Sequence, residues 1–406
     1  MKSSKIIFHL DLDAFFAACE MAEEASYKNV PIVVAKNDVF KRSIILSPNY
    51  LARQFGIKTT MLTAEAIKLC PNIKIVEPKM EMYNAYSNQV FKYLISLNKK
   101  TEVASIDEAY MDVSDMFQGA EAIDFAKHVQ NKIMNMFKLS ISIGIASNKF
   151  LAKMASDMNK PFGITVLRKK ELVDKLWPLP INKMHGVGKK TFQKLESIGI
   201  KTIGDLANFK DLNLIKKTLG VNYANSLLER ANGNDSSKVE YENYDNAESI
   251  SNSHTFETNI FELSYLKKAL KYLINSIVYR MNQKGVKAQS VGLQIKFSDF
   301  HIISRSRLLE VATDDEYVIY EMLELVLEDN LPEYFEVRLM GVFVSKLVES
   351  SIESKQFDLF SNNEVVDEQN KVQELISDIK NRYGEESIGI GIKKSNERKI
   401  NDRENK

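Results

Sequence analysis

The sequence predicts a protein of the α+β class that is divided into several domains. Its 406 residues exceed the length at which one hydrophobic core keeps growing, so roughly two to four domains are expected. Strand-like and helical patterns are mixed up to residue 168, and short helices follow them. A polar stretch then precedes a β-α-β-β-α-β order, which indicates a separate C-terminal domain.

The composition is that of an ordinary soluble globular protein, with 44% hydrophobic and 27% charged residues. The net charge of +1 means that any surface for nucleic acid must be local. Two isolated cysteines, Cys19 and Cys70, cannot form a disulfide framework, which fits a reducing cytoplasm. The N-terminal apolar run is too short for a signal sequence or a membrane span, so we expect a cytoplasmic protein without membrane contact.

Up to residue 146, β-branched runs alternate with amphipathic helical patterns. The first buried strand runs directly into Asp11. An acidic pair lies between two later strand-like segments, as in a hairpin. The predicted strands are 5–10, 31–35, 43–47, 101–105, 109–113 and 139–146, and the predicted helices are 14–25, 49–56, 62–69, 80–97 and 119–137.

The later part of the chain separates into three regions. Residues 171–231 form short helices broken by glycines, and the polar residues 232–247 read as a linker. The tail from about residue 350 is polar and is expected to be flexible. The elements between linker and tail are predicted as strand 249–257, helix 262–283, strands 289–298 and 301–311, helix 314–329 and strand 335–347.

Three carboxylates are candidates for a metal site. Asp11 ends a buried strand, and Asp107 and Glu108 lie in the predicted hairpin. Phosphoryl transfer with two Mg²⁺ ions needs converging carboxylates, because this hard cation prefers oxygen ligands. Neighbouring strand residues point to opposite faces, so the pair can share a site only if the backbone turns or bulges there. A solvated turn is the alternative, and for an isolated acidic pair it is the commoner one.

Over residues 5–347 the sequence resembles the Y-family DNA polymerases, within them the bacterial DNA polymerase IV branch. Five stretches occur in the family's order. They are HLDLDAFFAACE at 9–20, NYLARQFGIKTTM at 49–61, SIDEAYMDV at 105–113, SIGIASNKFLAKMASDMNKPFG at 142–163 and HGVGKKTFQKLESIGIKTIGDL at 185–206.

The resemblance implies a right-hand polymerase with palm, fingers, helical thumb and a β-α-β-β-α-β little finger. It also implies a monomer that works on primer-template DNA with deoxyribonucleoside triphosphates. The implied domains are a palm at 1–10 and 78–168, fingers at 11–77, a thumb with a helix-hairpin-helix at 169–232, a linker at 233–247, a little finger at 248–348 and a flexible tail at 349–406.

Carried over to this chain, the resemblance makes Asp11 and Asp107 bridging ligands of two Mg²⁺ ions. Glu108 becomes the ligand of the ion that activates the primer 3′-hydroxyl, and the Leu12 carbonyl completes the nucleotide-side shell. Asp13 has no implied ligand role, and we expect it to make a structural hydrogen bond. These residues would serve error-prone DNA synthesis past damaged or stalled sites.

The resemblance assigns Tyr50, Arg53 and Lys160 to the incoming triphosphate, whose oxygens need donors. Tyr50 and Arg53 are three residues apart, so an ordinary contact on one helix face is the alternative. Phe16 occupies the steric-gate position, which leaves no room for a 2′-hydroxyl. Simple core packing is the other possibility for Phe15 and Phe16, and we expect Phe16 to gate and Phe15 to pack.

DNA contacts are expected in two places. Gly186, Gly188 and Lys189 resemble a helix-hairpin-helix loop, whose backbone amides can hold phosphates irrespective of sequence. In the little finger, Lys296 lies on the polar side of an alternating strand. Arg305 and Arg307 share a face of the next strand, whereas helix 314–329 carries seven acids and no base. We therefore expect a polar sheet face on DNA, with the acidic helix turned away.

The tail contains a peptide, QFDLF at 356–360, that resembles the pentapeptide by which bacterial proteins bind the sliding clamp. Gln356, Leu359 and Phe360 would contact this processivity factor. Exposed apolar residues in a polar tail are best explained by a partner's hydrophobic groove. The alternative is that the cluster packs back on its own chain.

Two other functions compete with DNA synthesis. A DNA-binding accessory protein of the same fold would lack useful activity, but the complete set of acidic and triphosphate residues disfavours it. Another two-metal enzyme, such as a cyclase or nuclease, would share only the acidic site. The bulky residues 44–48, where the family often has small ones, leave the accommodation of the template base open.

Overall fold

In a computed structural model, the described residues are 5–36, 43–117, 119–241 and 248–350. The chain divides into two compact units, Met1–Asn246 and Ala247–Lys406. Both units combine helices with sheets, which confirms the predicted α+β class. Within the described ranges, no helix has both the length and the apolar character needed to cross a membrane.

The first unit contains eight strands and eleven α-helices among its described residues. The strands are β1 (Ile7–Leu12), β2 (Ile32–Val34), β3 (Ser47–Pro48), β4 (Lys74–Val76), β5 (Thr101–Val103), β6 (Glu108–Asp112), β7 (Ile141–Ala146) and β8 (Ile164–Leu167). The helices are α1 (Phe15–Glu23), α2 (Tyr50–Gln54), α3 (Thr63–Leu69), α4 (Met80–Leu97), α5 (Ala120–Phe137), α6 (Lys149–Met158), α7 (Leu172–Lys175), α8 (Lys189–Ser197), α9 (Ile203–Ala207), α10 (Leu212–Leu219) and α11 (Val221–Ala231).

The main sheet of this unit has the strand order β5-β6-β1-β7-β8. Strand β1 is antiparallel to both of its neighbours, and every one of its residues is buried. Phe8, Leu10 and Leu12 belong to the core that also holds residues of α4 and α5. His9 and Asp11 alternate with them and contact residues of α6. Because both faces are covered, β1 reads in the sequence as a mostly apolar run up to Asp11, interrupted by His9.

Gly144 in the middle of β7 lies directly beneath α6. A Cβ atom there would be 2.0 Å from the carbonyl oxygen of Ala152 and 2.4 Å from the backbone nitrogen of Ser156. Such distances are far below van der Waals contact, and backbone atoms cannot yield as flexible side chains do. The absence of a side chain at Gly144 therefore sets how closely α6 approaches the sheet.

We expect Gly144→Ala to lower the free energy of unfolding by about 3 kcal/mol, since overpacking would push α6 off the sheet. Urea unfolding followed by circular dichroism measures this change. Gly188→Ala is the matched control, because no neighbouring atom of the described residues lies within 4 Å of a Cβ at Gly188. Equal unfolding midpoints for Gly144→Ala and the wild type would contradict this packing.

A second, three-stranded sheet in the same unit has the order β3-β2-β4. The predicted strand at 43–47 was wrong, because Ile44 makes only an isolated bridge to Leu62 and β3 begins at Ser47. Ile45 instead exchanges backbone hydrogen bonds with Thr60 and Met61. Ile45 and Ser47 are buried in this stretch, while Ile44 and Leu46 are exposed.

Part of the polar stretch predicted as a linker is bound to the first unit. The Asn148 side chain donates to the Gly233 carbonyl at 2.9 Å, and the Phe150 amide donates to Asp235 at 3.0 Å. The Glu240 amide donates to Glu102 at 2.7 Å. Residues 233–241 are therefore anchored, because their polar groups bond to the protein; residues 242–247 lie outside the described ranges.

The second unit has one four-stranded antiparallel sheet with the order β11-β10-β12-β9. Its core lies between this sheet and two helices. The chain order confirms the predicted β-α-β-β-α-β pattern. The elements are β9 (Ser249–Ile260), α12 (Leu263–Lys284), β10 (Val286–Phe297), β11 (Ile302–Thr313), α13 (Glu316–Asn330) and β12 (Val337–Glu349).

Candidate active site

The ladder between β1 and β6 brings two of the candidate acids together. Asp11 pairs with Glu108 in the antiparallel register. Asp107 precedes β6 in a bend, and its carbonyl accepts a hydrogen bond from the Leu12 amide at 2.9 Å. The turn that the sequence required at the acidic pair is therefore present. Residues separated by about a hundred positions meet at one end of a rigid sheet.

A buried lysine on α6 joins the two acids. The Lys153 ammonium lies 3.0 Å from Asp11 Oδ2 and 2.9 Å from Glu108 Oε1. Lys160 also reaches Asp11, at 2.7 Å. On the other side, His9 Nε2 lies 3.3 Å from Glu108 Oε2, while its Nδ1 lies 2.8 Å from the Ser156 hydroxyl. Cations and donors thus hold both carboxylates in place.

The pKa values of this cluster follow from burial and pairing. Burial raises the pKa of Asp11 against the opposing effect of Lys153 and Lys160. Burial would also raise the pKa of Glu108, but hydrogen bonds from His9 and Lys153 bring it well below its ordinary value. Glu108 is consequently ionised at neutral pH, as a ligand for a cation must be.

Donor atoms of His9, Asp11 and Glu108 all lie within 4.8 Å of one another, a spacing at which they could hold a metal ion. Asp107 does not belong to this group; it is half-buried, and its side chain accepts a 2.6 Å hydrogen bond from Ser105. It nevertheless lines the same cavity as the other two acids. Oxygen donors of this kind suit a hard divalent cation.

The cavity beside the acids has a volume of about 220 Å³ and brings together the residues that the sequence assigned to metal, triphosphate and sugar. Leu46 and Ser47, from the segment noted for its bulky residues, also reach its wall. So does Phe15, which is otherwise buried in the core as expected. The lining residues are Asp11, Leu12, Ala14, Phe15, Phe16, Leu46, Ser47, Tyr50, Arg53, Thr59, Asp107, Glu108 and Lys160.

The turn from β1 into α1 is strained and strongly anchored. Ala14 has φ 48° and ψ 46°, a left-handed conformation that costs a residue with a side chain roughly 1–2 kcal/mol. Asp13 compensates, since its buried carboxylate accepts from the Ser142 hydroxyl at 2.8 Å and from the Phe162 amide at 2.9 Å. The predicted structural role of Asp13 is confirmed, and the turn places Leu12 and Phe16 on the same cavity.

Tyr50 and Arg53 share one face of α2 and line the cavity. The Arg53 guanidinium lies over the Tyr50 ring, 4.9 Å from its centroid, and Nε donates to the Pro48 carbonyl at 3.2 Å. Burial raises the pKa of Tyr50, so its hydroxyl stays protonated and can donate. Tyr50 and Arg53 therefore contact each other and line the cavity at the same time, so their mutual contact is compatible with binding of a triphosphate.

The helix-hairpin-helix residues lie at the start of α8. Gly186 has φ +96°, a conformation that favours glycine, and Gly188 is the N-terminal cap of α8 without a capping side chain. Both glycines and Lys189 are exposed, while Val187 between them is buried as an anchor. The loop therefore presents backbone amides to solvent, as a phosphate contact would require.

In the second unit, the predicted face of Arg305 and Arg307 was wrong. Their register partners on β10 are Leu293 and Val291, which are buried under the helices. The two arginines consequently point to the helix side of the sheet, and Arg307 lies 3.6 Å from Asp329 of α13. They are nevertheless exposed, and β11 is an edge strand of this sheet. Lys296 alternates with buried Ile295 and projects from the open face, as expected.

The clamp-binding residues Gln356, Leu359 and Phe360 lie outside the described residues. The sequence interpretation missed His9 and Lys153, which hold Glu108. Alternation along β1 could have indicated His9, since it shares a face with Asp11. No local signal indicates that Lys153, 142 positions from Asp11, would reach it.

Comparison with protein families gives three matches. The profile of the impB/mucB/samB family matches residues 10–157. The profile of its C-terminal domain matches residues 247–359, and the IMS family HHH motif matches residues 170–200.

Similar proteins and structures cover most of the chain. DNA polymerase IV of Bacillus velezensis is 38% identical over 96% of this chain and 94% of its own. DNA polymerase IV 1 of Bacillus subtilis is 37% identical over 96% and 93%, respectively. A solved Y-family DNA polymerase chimera of Dbh and Dpo4 superposes with a TM-score of 0.77 at 28% identity, covering 85% of this chain and 99% of the other. The insertion ternary complex of Dbh DNA polymerase gives a TM-score of 0.62 at 27% identity over the same shares.

Proposed function

Because this chain belongs to the impB/mucB/samB family of Y-family DNA polymerases, we propose that it copies DNA past damage by a two-magnesium mechanism at the cavity beside Asp11. It is a DNA-directed DNA polymerase. The observation that carries the proposed mechanism is the register that sets Asp11 opposite Glu108, with Asp107 at the same cavity. We place its action in the cytoplasm and expect it to work as a monomer.

In this proposal, Asp11 and Asp107 would hold both Mg²⁺ ions, the Leu12 carbonyl would contribute to the ion on the nucleotide side, and Glu108 would hold the ion on the primer side. When bound, the ions would make the 3′-hydroxyl acidic enough to react near neutral pH and would neutralise charge on the phosphates. The ionised state of Glu108 supports this role. Lys153 and His9 keep the Glu108 carboxylate oriented, each through one of its oxygens.

The incoming deoxyribonucleoside triphosphate would lie in the same cavity. Lys160, Tyr50 and Arg53 can donate to its phosphate oxygens, where negative charge is spread during transfer. Lys160 now pairs with Asp11 and Asp157, so it would exchange these partners for phosphate. Phe16 lies beneath the sugar and excludes a 2′-hydroxyl.

DNA would be held through contacts that do not read sequence. Gly186, Gly188 and Lys189 offer exposed amides and a cation to the backbone. Lys296 offers a charge from the open sheet face of the second unit. Arg305 and Arg307 would contact phosphates at the edge of the sheet, since their side chains point to the face that carries the helices. Their removal should weaken binding uniformly across sequences and reduce its dependence on salt.

The proposed function predicts extension past a lesion without proofreading. Purified protein with Mg²⁺ and deoxyribonucleotides should extend a primer past a template abasic site, and it should release no nucleotide from a mismatched 3′ end. Gel analysis of end-labelled primers measures both. Arrest at the abasic site would contradict translesion activity, and shortening of the mismatched primer would contradict the absence of proofreading.

The clamp peptide predicts a separable effect. Deleting residues 356–360 should leave synthesis without the clamp unchanged and remove its stimulation by the bacterial sliding clamp, because the apolar side chains would lose their groove. A scrambled peptide of the same composition is the control and should behave like the deletion. If both variants were stimulated as strongly as the wild type, the assignment of Gln356, Leu359 and Phe360 would be refuted.

A further inference from the structure

The ring of Phe16 has a second aromatic ring behind it. Tyr83 of α4 stacks on Phe16 with centroids 4.6 Å apart and planes 18° apart. Phe16 is half-buried and lines the cavity, whereas Tyr83 is fully buried and is not among the lining residues. Tyr83 can therefore act on a substrate only through Phe16.

Tyr83 is itself held by a buried carboxylate. Its hydroxyl donates to Glu20 Oε1 at 2.7 Å, and Lys79 donates to Glu20 Oε2 at 2.8 Å. Glu20 is 0% exposed, so losing either hydrogen bond would leave a buried carboxylate oxygen without its partner, which would destabilise the protein. Lys79 is 57% exposed at its side chain and connects this buried group to the surface.

The positions of these residues tie two helices together. Phe16 and Glu20 are four residues apart on α1, so they share the face that meets α4. Lys79 and Tyr83 are four residues apart at the start of α4 and share the facing side. The stacked rings and the carboxylate thus form one continuous contact between α1 and α4.

We propose that Tyr83, anchored by Glu20, is a positioning residue for sugar selection: it prevents the Phe16 ring from yielding to a 2′-hydroxyl. The inference rests on the proposed role of Phe16. A steric gate discriminates only if its ring cannot move away from the sugar. The buried Tyr83 ring, stacked on Phe16, blocks this movement. Phe15 lies 5.6 Å from Phe16 at 48° and leaves the flat side to Tyr83.

The test compares kcat/KM for a deoxyribonucleotide and the matching ribonucleotide in single-nucleotide insertion by the full-length protein. Tyr83→Leu should lower the selectivity about tenfold, through better use of the ribonucleotide, with deoxyribonucleotide insertion little changed. Tyr83→Phe retains the ring but not its anchor, and it should lower the selectivity about threefold. A merely structural role would lower both insertion rates together and leave their ratio unchanged.

Tyr86 provides a matched control. Its hydroxyl donates to Glu23 at 2.6 Å, which repeats the tyrosine–glutamate contact between α4 and α1 three residues further along each helix. Among the described residues, the rings that lie against Phe16 are those of Phe15 and Tyr83. Tyr86→Leu should therefore keep wild-type selectivity, although it too removes a tyrosine–glutamate contact between the two helices.

Phe16→Ala distinguishes an error in the proposed gate from an error in the proposed role of Tyr83. If it relaxes selectivity but Tyr83→Leu does not, the role of Tyr83 is overturned and the gate stands. If Phe16→Ala has no effect, both the gate and the inference are overturned. Should Tyr83→Leu fail to fold in a thermal melt, Tyr83→Phe decides, and an unchanged ratio in that variant overturns the inference. Loss of selectivity in Tyr86→Leu equal to that in Tyr83→Leu also overturns it.

Discussion

Replacing Asp107 with Ala should lower the rate of primer extension by about a thousandfold or more, because loss of a bridging metal ligand removes several kcal/mol of transition-state stabilisation. The protein should keep its melting temperature. Asp107 is half-buried, and within the described part of the chain its carboxylate accepts a hydrogen bond from Ser105 alone. Asp11 and Glu108 are poorer choices, since each holds buried Lys153 and its removal would disturb the fold.

Single-turnover extension of a primer with saturating nucleotide measures the chemical step for Asp107→Ala. Asp115→Ala is the control, since Asp115 is an exposed carboxylate that follows β6, pairs with Lys100 and does not line the cavity. It should retain wild-type activity. Extension by Asp107→Ala within tenfold of the wild type would remove Asp107 from the proposed metal site.

Replacing Phe16 with Ala should raise ribonucleotide insertion relative to deoxyribonucleotide insertion by about a hundredfold. The ring lines the cavity and is supported from behind by Tyr83, so its removal opens space where a 2′-hydroxyl would lie. Discrimination that depends on a clash is lost when the clashing group is removed. The ratio of kcat/KM values for the two sugars reports this directly.

Phe55→Ala is the control for Phe16→Ala. Phe55 follows α2 near the same cavity, but it is half exposed and does not line the cavity. Its truncation should leave the sugar ratio unchanged. Wild-type selectivity in Phe16→Ala would show that the sugar is selected by other residues.

The sequence indicated the main elements of the site for clear physical reasons. Asp11 follows a short, mostly apolar run that reads as a buried strand, so its position at a sheet end could be predicted. The bend before Glu108 followed from the need to bring neighbouring acids to one face. The resemblance to the family supplied the remaining roles, and Tyr50, Arg53 and Lys160 do line one cavity with the acids.

What the sequence could not predict depends on pairing between distant segments. Alternation shows that Arg305 and Arg307 share a face, but the register with β10 decides which face, and it places them with Leu293 and Val291. Lys153 reads as an ordinary helix residue until α6 is packed on β1. In the same way, the polar residues 233–241 look like a free linker because their bonding partners are remote in sequence.

In the proposed mechanism, Asp11, Asp107 and Glu108 together hold two divalent cations at the triphosphate. Crystals with primer-template DNA, a nonhydrolysable deoxyribonucleoside triphosphate and Mn²⁺ in place of Mg²⁺ would locate the ions by anomalous scattering. Two manganese peaks about 3.5–4 Å apart are expected, both contacted by Asp11 and Asp107 and one of them by Glu108. A single peak, or peaks remote from Asp11, would contradict the mechanism.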